Sequence, residues 1–286
     1  MLRSLFGNQT PELKSPREIA LMREAGKVVA EALRICRQMA KPGTQTLDID
    51  RAVDDLFHRH NAIPLFKGYK GRVPFPASTC LSINEQVVHG IPSQRVLRSG
   101  DIFKVDTACK LNGWCADAAV TIPVGEVRPE CRRLIQTAEQ VLAVAILEMG
   151  RCKKWSEVAL RMQQVAERAG YSVVQQYVGH GIGRIMHEHP QVPNFVNRDV
   201  RKHDFRLEEG LVLAVEPMVN MGRADVDTLR DHWTVVTRDG LPSAHVEHTL
   251  AITREGVQIL TADEDISPPP VVSQPSTPQA IQPALI

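Results

Sequence analysis

Two aspartates lie on either side of a tight turn that the sequence predicts. Asn112-Gly113 is a strong signal for a two-residue hairpin turn, and this register places Ala108 opposite Asp117. Asp106 is two residues from Ala108, so its side chain projects from the same face as that of Asp117. The two carboxylates are then diagonal neighbours, about 7–8 Å apart or less at their side-chain bases. Because like charges this close repel, the pattern points to a cation between them.

Two glutamates lie in apolar segments where burial of a lone carboxylate is costly. Glu216 occurs in LVLAVEPMV and Glu247 in AHVEHTLAI. For any one of these acids, a salt bridge to Lys or Arg is the better interpretation, and Lys104 lies on the same face as Asp106. Four embedded carboxylates are harder to explain in that way, which favours a shared metal site.

His180 is a candidate fifth ligand. It follows a predicted strand between Gly179 and Gly181, which allow close approach of the backbone. A lone histidine is more often structural than a ligand, but beside four buried carboxylates His180 becomes a candidate metal ligand. Four carboxylates and one imidazole suit Mn, Co, Fe or Zn, and two ions fit the charge better than one. Such a pair of ions activates water for hydrolysis.

Caps, periodicity and turn residues predict the elements that must position these side chains. Ser15, Pro16 and Glu18 form the start signal of the first helix. Helices, strands, helices and strands follow in that order, which favours an α+β fold with helices covering a mainly antiparallel sheet. The first predicted helix begins at Ser15 and is ended by Lys41-Pro42-Gly43, and the others cover about Leu47–Arg59, Pro129–Glu148 and Ser156–Ala169. Residues 61–80 are predicted as a loop. The predicted strands lie in CLSINEQVVHG, DIFKVDTACKLNGWCADAAVTIPVG, SVVQQYVGHG, LVLAVEPMVN and AHVEHTLAIT.

Taken in order, these segments resemble the type I methionine aminopeptidases, which are pita-bread metallopeptidases with two pseudo-symmetric halves. The resemblance covers about residues 15–260. The interval of 31 residues between Glu216 and Glu247 leaves no room for the helical insertion of type II enzymes, so the match is to the short, bacterial-like form. The matching segments are CLSINEQVVHGIP from Cys80 to Pro92, which contains His89; Val105-Asp106; NGWCAD ending at Asp117; GHGIG around His180 through His187-Glu188; VEPMVN at Glu216; and VEHT at Glu247.

The resemblance implies a role for each ligand. Asp117 and Glu247 would bridge two divalent ions (Co, Mn, Fe or Zn), Asp106 would bind one ion, and His180 with Glu216 the other. A metal-bridging water would attack the first peptide bond, with Glu216 handling its proton.

The resemblance also implies the residues that meet the substrate. His187 would stabilise the tetrahedral intermediate and His89 would contact the substrate backbone. Removal of an initiator methionine that precedes a small second residue is the implied reaction. A pocket of Tyr69, Cys80, Met186 and Trp233 would take the methionine side chain, although ordinary core packing is an alternative for these four, and the longer loop at 71–76 leaves open whether Tyr69 or Phe75 lines it.

Rival interpretations are prolidase, aminopeptidase P and a non-catalytic relative. The first two carry a large extra N-terminal domain, whereas only about 80 residues precede the His89 region here. Non-catalytic relatives have lost metal ligands, whereas all five are present in this chain. The retained ligands therefore favour an enzyme.

Bulk composition limits partners and organisation. The 286 residues are 43% hydrophobic, and 34 Lys and Arg against 33 Asp and Glu leave a net charge of +1, so nothing indicates nucleic-acid binding. No apolar run approaches the ~20 residues that span a bilayer, and six cysteines without a C-x-x-C pair favour free thiols. We expect a cytoplasmic protein with an N-terminal segment (1–14), a catalytic domain (15–262) and a Pro-rich, disordered tail (263–286). The resemblance implies a monomer acting on the N-termini of nascent proteins or peptides, with transient ribosome proximity that no basic patch supports.

Overall fold

The computed structural model describes residues 10–263, so the tail predicted for 263–286 lies, apart from its first residue, outside the described residues. The helices in that range are α1 (Pro16–Met39), α2 (Thr46–Arg59), α3 (Pro129–Met149), α4 (Trp155–Arg168) and α5 (Arg198–Lys202). The strands are β1 (Ile63–Pro64), β2 (Cys80–Ile83), β3 (Ile102–Leu111), β4 (Trp114–Pro123), β5 (Ser172–Val173), β6 (Gly179–Gly181), β7 (Glu188–Val192), β8 (Val212–Val215), β9 (Met218–Asn220), β10 (Val226–Thr228), β11 (Val235–Thr237), β12 (Ser243–His245), β13 (His248–Thr253) and β14 (Gly256–Ile259). Among these helices, none is long and apolar enough to cross a membrane.

The start of α1 is the predicted capping box. Glu18 Oε2 accepts from the Ser15 backbone N–H at 2.8 Å, and Ser15 Oγ accepts from the Glu18 backbone N–H at 3.4 Å. The helix then buries one face, including Met22, Val29 and Leu33, and packs on β3 and β4. The four long helices agree with the predicted ranges to within one or two residues.

The β3–β4 hairpin has the predicted turn and register. Both turn residues have positive φ, 50° at Asn112 and 85° at Gly113, as a tight two-residue hairpin turn requires. Ala108 pairs with Asp117, and Asp106 pairs with Ala119. The two aspartates therefore share one face, as the alternation of side chains predicts.

Three segments predicted as single strands are interrupted. The segment containing Glu216 splits into β8 and β9, because Pro217 has no N–H for a sheet ladder. The segment containing Glu247 likewise splits into β12 and β13, and SVVQQYVGHG gives β5 and β6. The expectation that Glu216 and Glu247 lie within strands is thus wrong: both lie where the chain passes between a three-stranded sheet (β12-β9-β5) and a five-stranded sheet (β14-β13-β8-β6-β7).

The described chain has two halves. In the first, α1 packs on β3 and β4, and α2 packs on α1 and β1, around one apolar core that includes Phe57 and Phe103. In the second, α3 and α4 pack on the strands that follow them around another core that includes Trp155 and Leu213. Every described pairing of strands is antiparallel. This arrangement confirms the α+β prediction.

Several short elements were not predicted. β10, β11 and α5 have three to five residues each, too few to show a hydrophobic period. β7 contains Pro190, which argues against a strand when only the sequence is considered. β1 lies in the region predicted as loop, where it pairs with the end of β3.

Candidate metal centre and substrate cavity

A cavity of about 180 Å³ opens between the two halves. All eleven residues that the sequence analysis predicts as metal ligands or substrate contacts line this cavity. The first half contributes Tyr69, Cys80, His89, Asp106 and Asp117, and the second contributes His180, Met186, His187, Glu216, Trp233 and Glu247.

The five candidate ligands converge at the cavity wall. Asp117, His180 and Glu247 each offer a ligand atom, and these atoms lie within 4.8 Å of one another. His180 Nε2 lies 3.9 Å from Asp117 Oδ2 and 3.6 Å from Glu216 Oε1. Oδ1 of Asp106, Oδ1 of Asp117 and Oε1 of Glu247 are buried without a hydrogen-bond partner. Unsatisfied carboxylate oxygens beside an imidazole nitrogen fit a divalent metal ion.

The salt-bridge alternative fails for these carboxylates. Lys104, the cation on the same face as Asp106, donates from Nζ to the backbone carbonyl of Asn84 at 2.7 Å. Within residues 10–263, no Lys or Arg forms an ion pair with the four acids. Their charge is therefore left for a bound cation to balance.

The flanking glycines let His180 reach the cluster. A Cβ on Gly179 would collide with the backbone oxygen of Ala214, and one on Gly181 with that of His189. Nδ1 of His180 lies 2.9 Å from the Gly181 carbonyl oxygen, which can only accept, so Nδ1 carries the proton. Nε2 then presents its lone pair to the carboxylates, as a metal-binding imidazole requires.

Burial sets the protonation of the cluster. It raises the pKa of Asp117 to about 7, and it raises the pKa of Asp106, Glu216 and Glu247 well above their usual range, with neighbouring carboxylates adding to the effect. Burial lowers the pKa of His180 to about 3, so its ring is neutral. A divalent cation would favour the ionised carboxylates, and the neutral imidazole is already suited to bind it.

Two further histidines face the cavity. His89 has a φ of 58°, which is uncommon for a residue other than glycine, and burial lowers its pKa to about 4. His187 Nδ1 lies 2.7 Å from Tyr69 Oη, and burial lowers the pKa of its ring as well. Both rings are therefore neutral near pH 7 and can donate one hydrogen bond each.

The remaining wall of the cavity is apolar. Cys80 and Met186 belong to one buried cluster with Phe75, against which Trp233 packs. The long loop reaches Trp233, whose Nε1 donates to the backbone oxygen of Val73 at 2.8 Å. Tyr69 and Phe75 both line the cavity.

Two residues of the site, Tyr177 and His245, are not predicted from the sequence. Tyr177 lines the cavity with its ring edge-on to His89. His245 is buried with both ring nitrogens unpartnered, and its Nε2 lies 3.8 Å from Glu216 Oε2. A signal did exist for His245, since it stands two residues before Glu247 in a segment read as a strand. Tyr177 lies in irregular chain, where no periodicity indicates a direction.

Comparisons with known proteins agree with this geometry. Residues 20–254 match the description "Metallopeptidase family M24". The chain is 44% identical to methionine aminopeptidase 1 of Bacillus subtilis over 87% of this chain and 98% of the relative, and 46% identical to methionine aminopeptidase of Clostridium acetobutylicum over 88% and 99%. The crystal structure of methionine aminopeptidase from Thermotoga maritima superposes with a TM-score of 0.83 at 40% identity, covering 89% of this chain and 100% of that one.

The resemblance stated from the sequence motifs is therefore confirmed, and so is the pita-bread fold. Membership also implies the use of divalent metal, in agreement with the cluster of Asp117, His180 and Glu247. The chain belongs to metallopeptidase family M24 and, within it, to the methionine aminopeptidases.

Proposed function

We propose that the protein removes the N-terminal methionine from polypeptides by metal-dependent hydrolysis of the first peptide bond. One observation carries the proposal: three buried carboxylates with unsatisfied oxygens, those of Asp106, Asp117 and Glu247, lie beside Glu216 and the neutral imidazole of His180 in one cavity. The names of the relatives support the same activity.

Two divalent ions would be held by the five ligands. Asp117 and Glu247 would bind both ions, Asp106 one of them, and His180 with Glu216 the other. When bound, the ions supply Lewis-acid polarisation of the scissile carbonyl and a water that is nucleophilic at neutral pH. The donor set suits Co, Mn, Fe or Zn.

The other residues of the cavity would bind the substrate and move charge and protons. Glu216, at the edge of the cluster, accepts the proton of the attacking water. Neutral His187 and His89 donate hydrogen bonds, His187 to the developing oxyanion and His89 to the substrate backbone. Removal of one such donor costs about 10²–10³-fold in kcat in other hydrolases.

The apolar part of the cavity suits an apolar side chain. The whole cavity, including the space beside the five ligands, has a volume of about 180 Å³, which is similar to that of an engineered cavity of roughly 150 Å³ that holds a benzene molecule. Cys80, Met186, Phe75 and Trp233 provide the apolar wall, and burial raises the pKa of the Cys80 thiol so that it stays neutral. The thioether of methionine therefore meets soft, uncharged neighbours, with Tyr69 at the edge.

The substrates we propose are the N-termini of nascent proteins and peptides that carry a small second residue. Such substrates would bring the enzyme transiently near the ribosome in the cytoplasm, where it would act as a monomer. Two tripeptides test whether the second residue must be small. Met-Ala-Ser should be cleaved far faster than Met-Lys-Ser, and equal rates of methionine release would contradict this preference.

The direct test is methionine release from Met-Ala-Ser with added Mn(II) or Co(II). Wild-type protein should release methionine, and Asp106→Ala should not. No release by wild-type protein with any divalent metal would reject the proposal. Faster cleavage of proline-containing dipeptides than of Met-Ala-Ser would show a prolidase instead.

A further inference from the structure

A buried lysine docks the chain preceding α1 onto the second half of the molecule. The side chain of Lys14 is only 1% exposed, and its Nζ lies 2.7 Å from Glu188 Oε2. Its backbone N–H donates to the carbonyl oxygen of Gly210 at 2.7 Å. Glu12, whose side chain is mostly exposed, is a second partner at 3.4 Å. Because a buried ammonium is costly without a partner, the contact with Glu188 fixes this segment in place.

The same glutamate shapes the loop formed by residues 183–187. Glu188 Oε1 accepts from the backbone N–H of Arg184 at 2.7 Å and from that of Ile185 at 3.2 Å. The two carboxylate oxygens of Glu188 thus have different partners: Oε1 accepts from the loop amides, and Oε2 pairs with Lys14. Gly183 is needed for this arrangement, since a Cβ there would lie 2.5 Å from Lys14 Cε and 2.7 Å from Glu188 Oε1.

The 183–187 loop ends in two cavity residues, Met186 and His187. It contains no regular secondary structure, so individual contacts decide its shape. At its start, the backbone N–H of Cys115 donates to the Gly183 carbonyl oxygen at 2.8 Å. Lys110 Nζ donates to the Arg184 carbonyl oxygen at 2.6 Å, and the Arg184 guanidinium lies over the Trp114 ring at 4.3 Å. At its end, Tyr69 Oη lies 2.7 Å from His187 Nδ1. Glu188 adds the bonds to two successive loop amides, and it is also the residue that follows His187.

We infer that Lys14 and Glu188 are positioning residues for the proposed aminopeptidase reaction: their buried ion pair holds the 183–187 loop so that His187 and Met186 face the substrate. The inference rests on the proposed function only for its kinetic consequence. Without the ammonium group, the carboxylate of Glu188, whose side chain is only 11% exposed, loses its cation, and we expect it to turn toward solvent. The two loop amides then lose their acceptor, and the loop loses its shape.

The test compares Lys14→Met with a matched control, Lys27→Met. Lys27 pairs with Glu24 on the surface of α1, with side chains 47% and 54% exposed, so its loss should change nothing. At equal Mn(II) content and folded fraction, Lys14→Met should lower kcat/KM on Met-Ala-Ser by about 10- to 100-fold, the cost of a misplaced catalytic group. A wild-type kcat/KM per folded molecule, or an equal loss in Lys27→Met, would overturn the inference.

A second variant separates positioning from stability. In Lys14→Met/Glu188→Gln, the amide oxygen can accept from Arg184 and Ile185 without needing a cation, so the double variant should recover part of the lost kcat/KM. Recovery of the folded fraction alone, with kcat/KM still as low as in Lys14→Met, would show a merely structural pair.

Hydrogen exchange gives a readout that does not depend on turnover. The amides of Arg184 and Ile185 should exchange faster in Lys14→Met than in wild-type protein or Lys27→Met. Unchanged exchange would reject the inference even if the enzyme were inactive. An inactive wild-type protein with the expected exchange pattern would reject the proposed function and leave the loop anchor standing.

Discussion

Two buried aspartates, each within a different acidic region of this molecule, are equally exposed to solvent but differ in their hydrogen-bond partners. Asp50 in α2 and Asp106 in β3 are each 9% exposed. Oδ1 of Asp50 accepts from the backbone N–H of Ser78 (3.0 Å), the backbone N–H of Thr79 (2.9 Å) and Thr79 Oγ1 (2.7 Å). Oδ1 of Asp106 has no partner.

The difference shows that burial alone does not identify a functional carboxylate. Burial raises the pKa of both acids, but for Asp50 the bonds from Thr79 and Ser78 act in the opposite direction. A buried acid with a complete set of donors holds the fold together, whereas one without them needs a ligand that the protein does not supply. Substitutions in the two regions should therefore act on different properties.

The largest effect is expected for Glu247→Gln in the ligand cluster. The change keeps the shape of the side chain but removes a metal ligand, so methionine release should fall to background. Because no hydrogen bond to Glu247 is lost and repulsion from Asp117, Glu216 and Asp106 is relieved, the Tm of metal-free protein should stay the same or rise. Activity and thermal unfolding of the same sample measure both effects. A large drop in the Tm of metal-free protein would show that Glu247 stabilises the fold as Asp50 does.

The opposite behaviour is expected for Asp50→Ala. The change leaves the N–H groups of Ser78 and Thr79 buried and unpaired, at about 1–3 kcal/mol each. We expect the free energy of unfolding, measured in urea, to fall by roughly 2–6 kcal/mol. Asp50→Asn, which keeps one oxygen acceptor, should cost less. An unchanged free energy of unfolding in Asp50→Ala would contradict this assignment.

A smaller effect should appear in the pH dependence of metal stabilisation. The raised pKa of Asp117, about 7, means that its protonated form stabilises metal-free protein at low pH and that this stability is lost as pH rises through about 7. Asp106, Glu216 and Glu247 shift in the same direction. A bound cation offsets the loss, so the gain in Tm on adding Mn(II) should be larger at pH 8 than at pH 6, with about 2–4 °C for each kcal/mol. Equal gains at both pH values would count against ionised carboxylates as ligands.

The smallest effect is expected for Glu148→Gln, a buried acid with a cation partner. Oε2 of Glu148 pairs with Arg161 at 2.9 Å, and the Arg161 side chain is 53% exposed. Since Arg161 can turn to water, the loss should be about 1 kcal/mol in the free energy of unfolding, with unchanged methionine release. A loss of activity without unfolding would place Glu148 in the functional region instead.

Local rules were sufficient to predict the parts of the site that depend on near neighbours. The turn at Asn112-Gly113 determines the register, and the register determines that Asp106 and Asp117 share a face. The capping box at Ser15 predicts the start of α1 for the same reason. Sequence context indicates Glu216, Glu247 and His180, and the resemblance to a family supports them, whereas His89 and His187 are indicated by the resemblance alone.

Tertiary features were beyond such rules. Glu216 and Glu247 lie in breaks between two sheets, and only the assembled fold shows that these breaks meet across from β4. The ion pair of Lys14 and Glu188 joins residues 174 positions apart, so no local pattern contains it. The side chain of Lys14 is among the most buried of the charged groups, and nothing in the sequence around it indicates this burial.

Titration of metal-free protein with Mn(II), with bound metal and methionine release followed in the same samples, shows whether the five ligands form a metal-dependent hydrolytic site. The unsatisfied carboxylates predict no release of methionine from Met-Ala-Ser without metal, and activity that rises as up to two ions bind per chain. Full activity after exhaustive chelation, or no bound ion and no activity at any Mn(II) concentration, would show that these residues are not such a site.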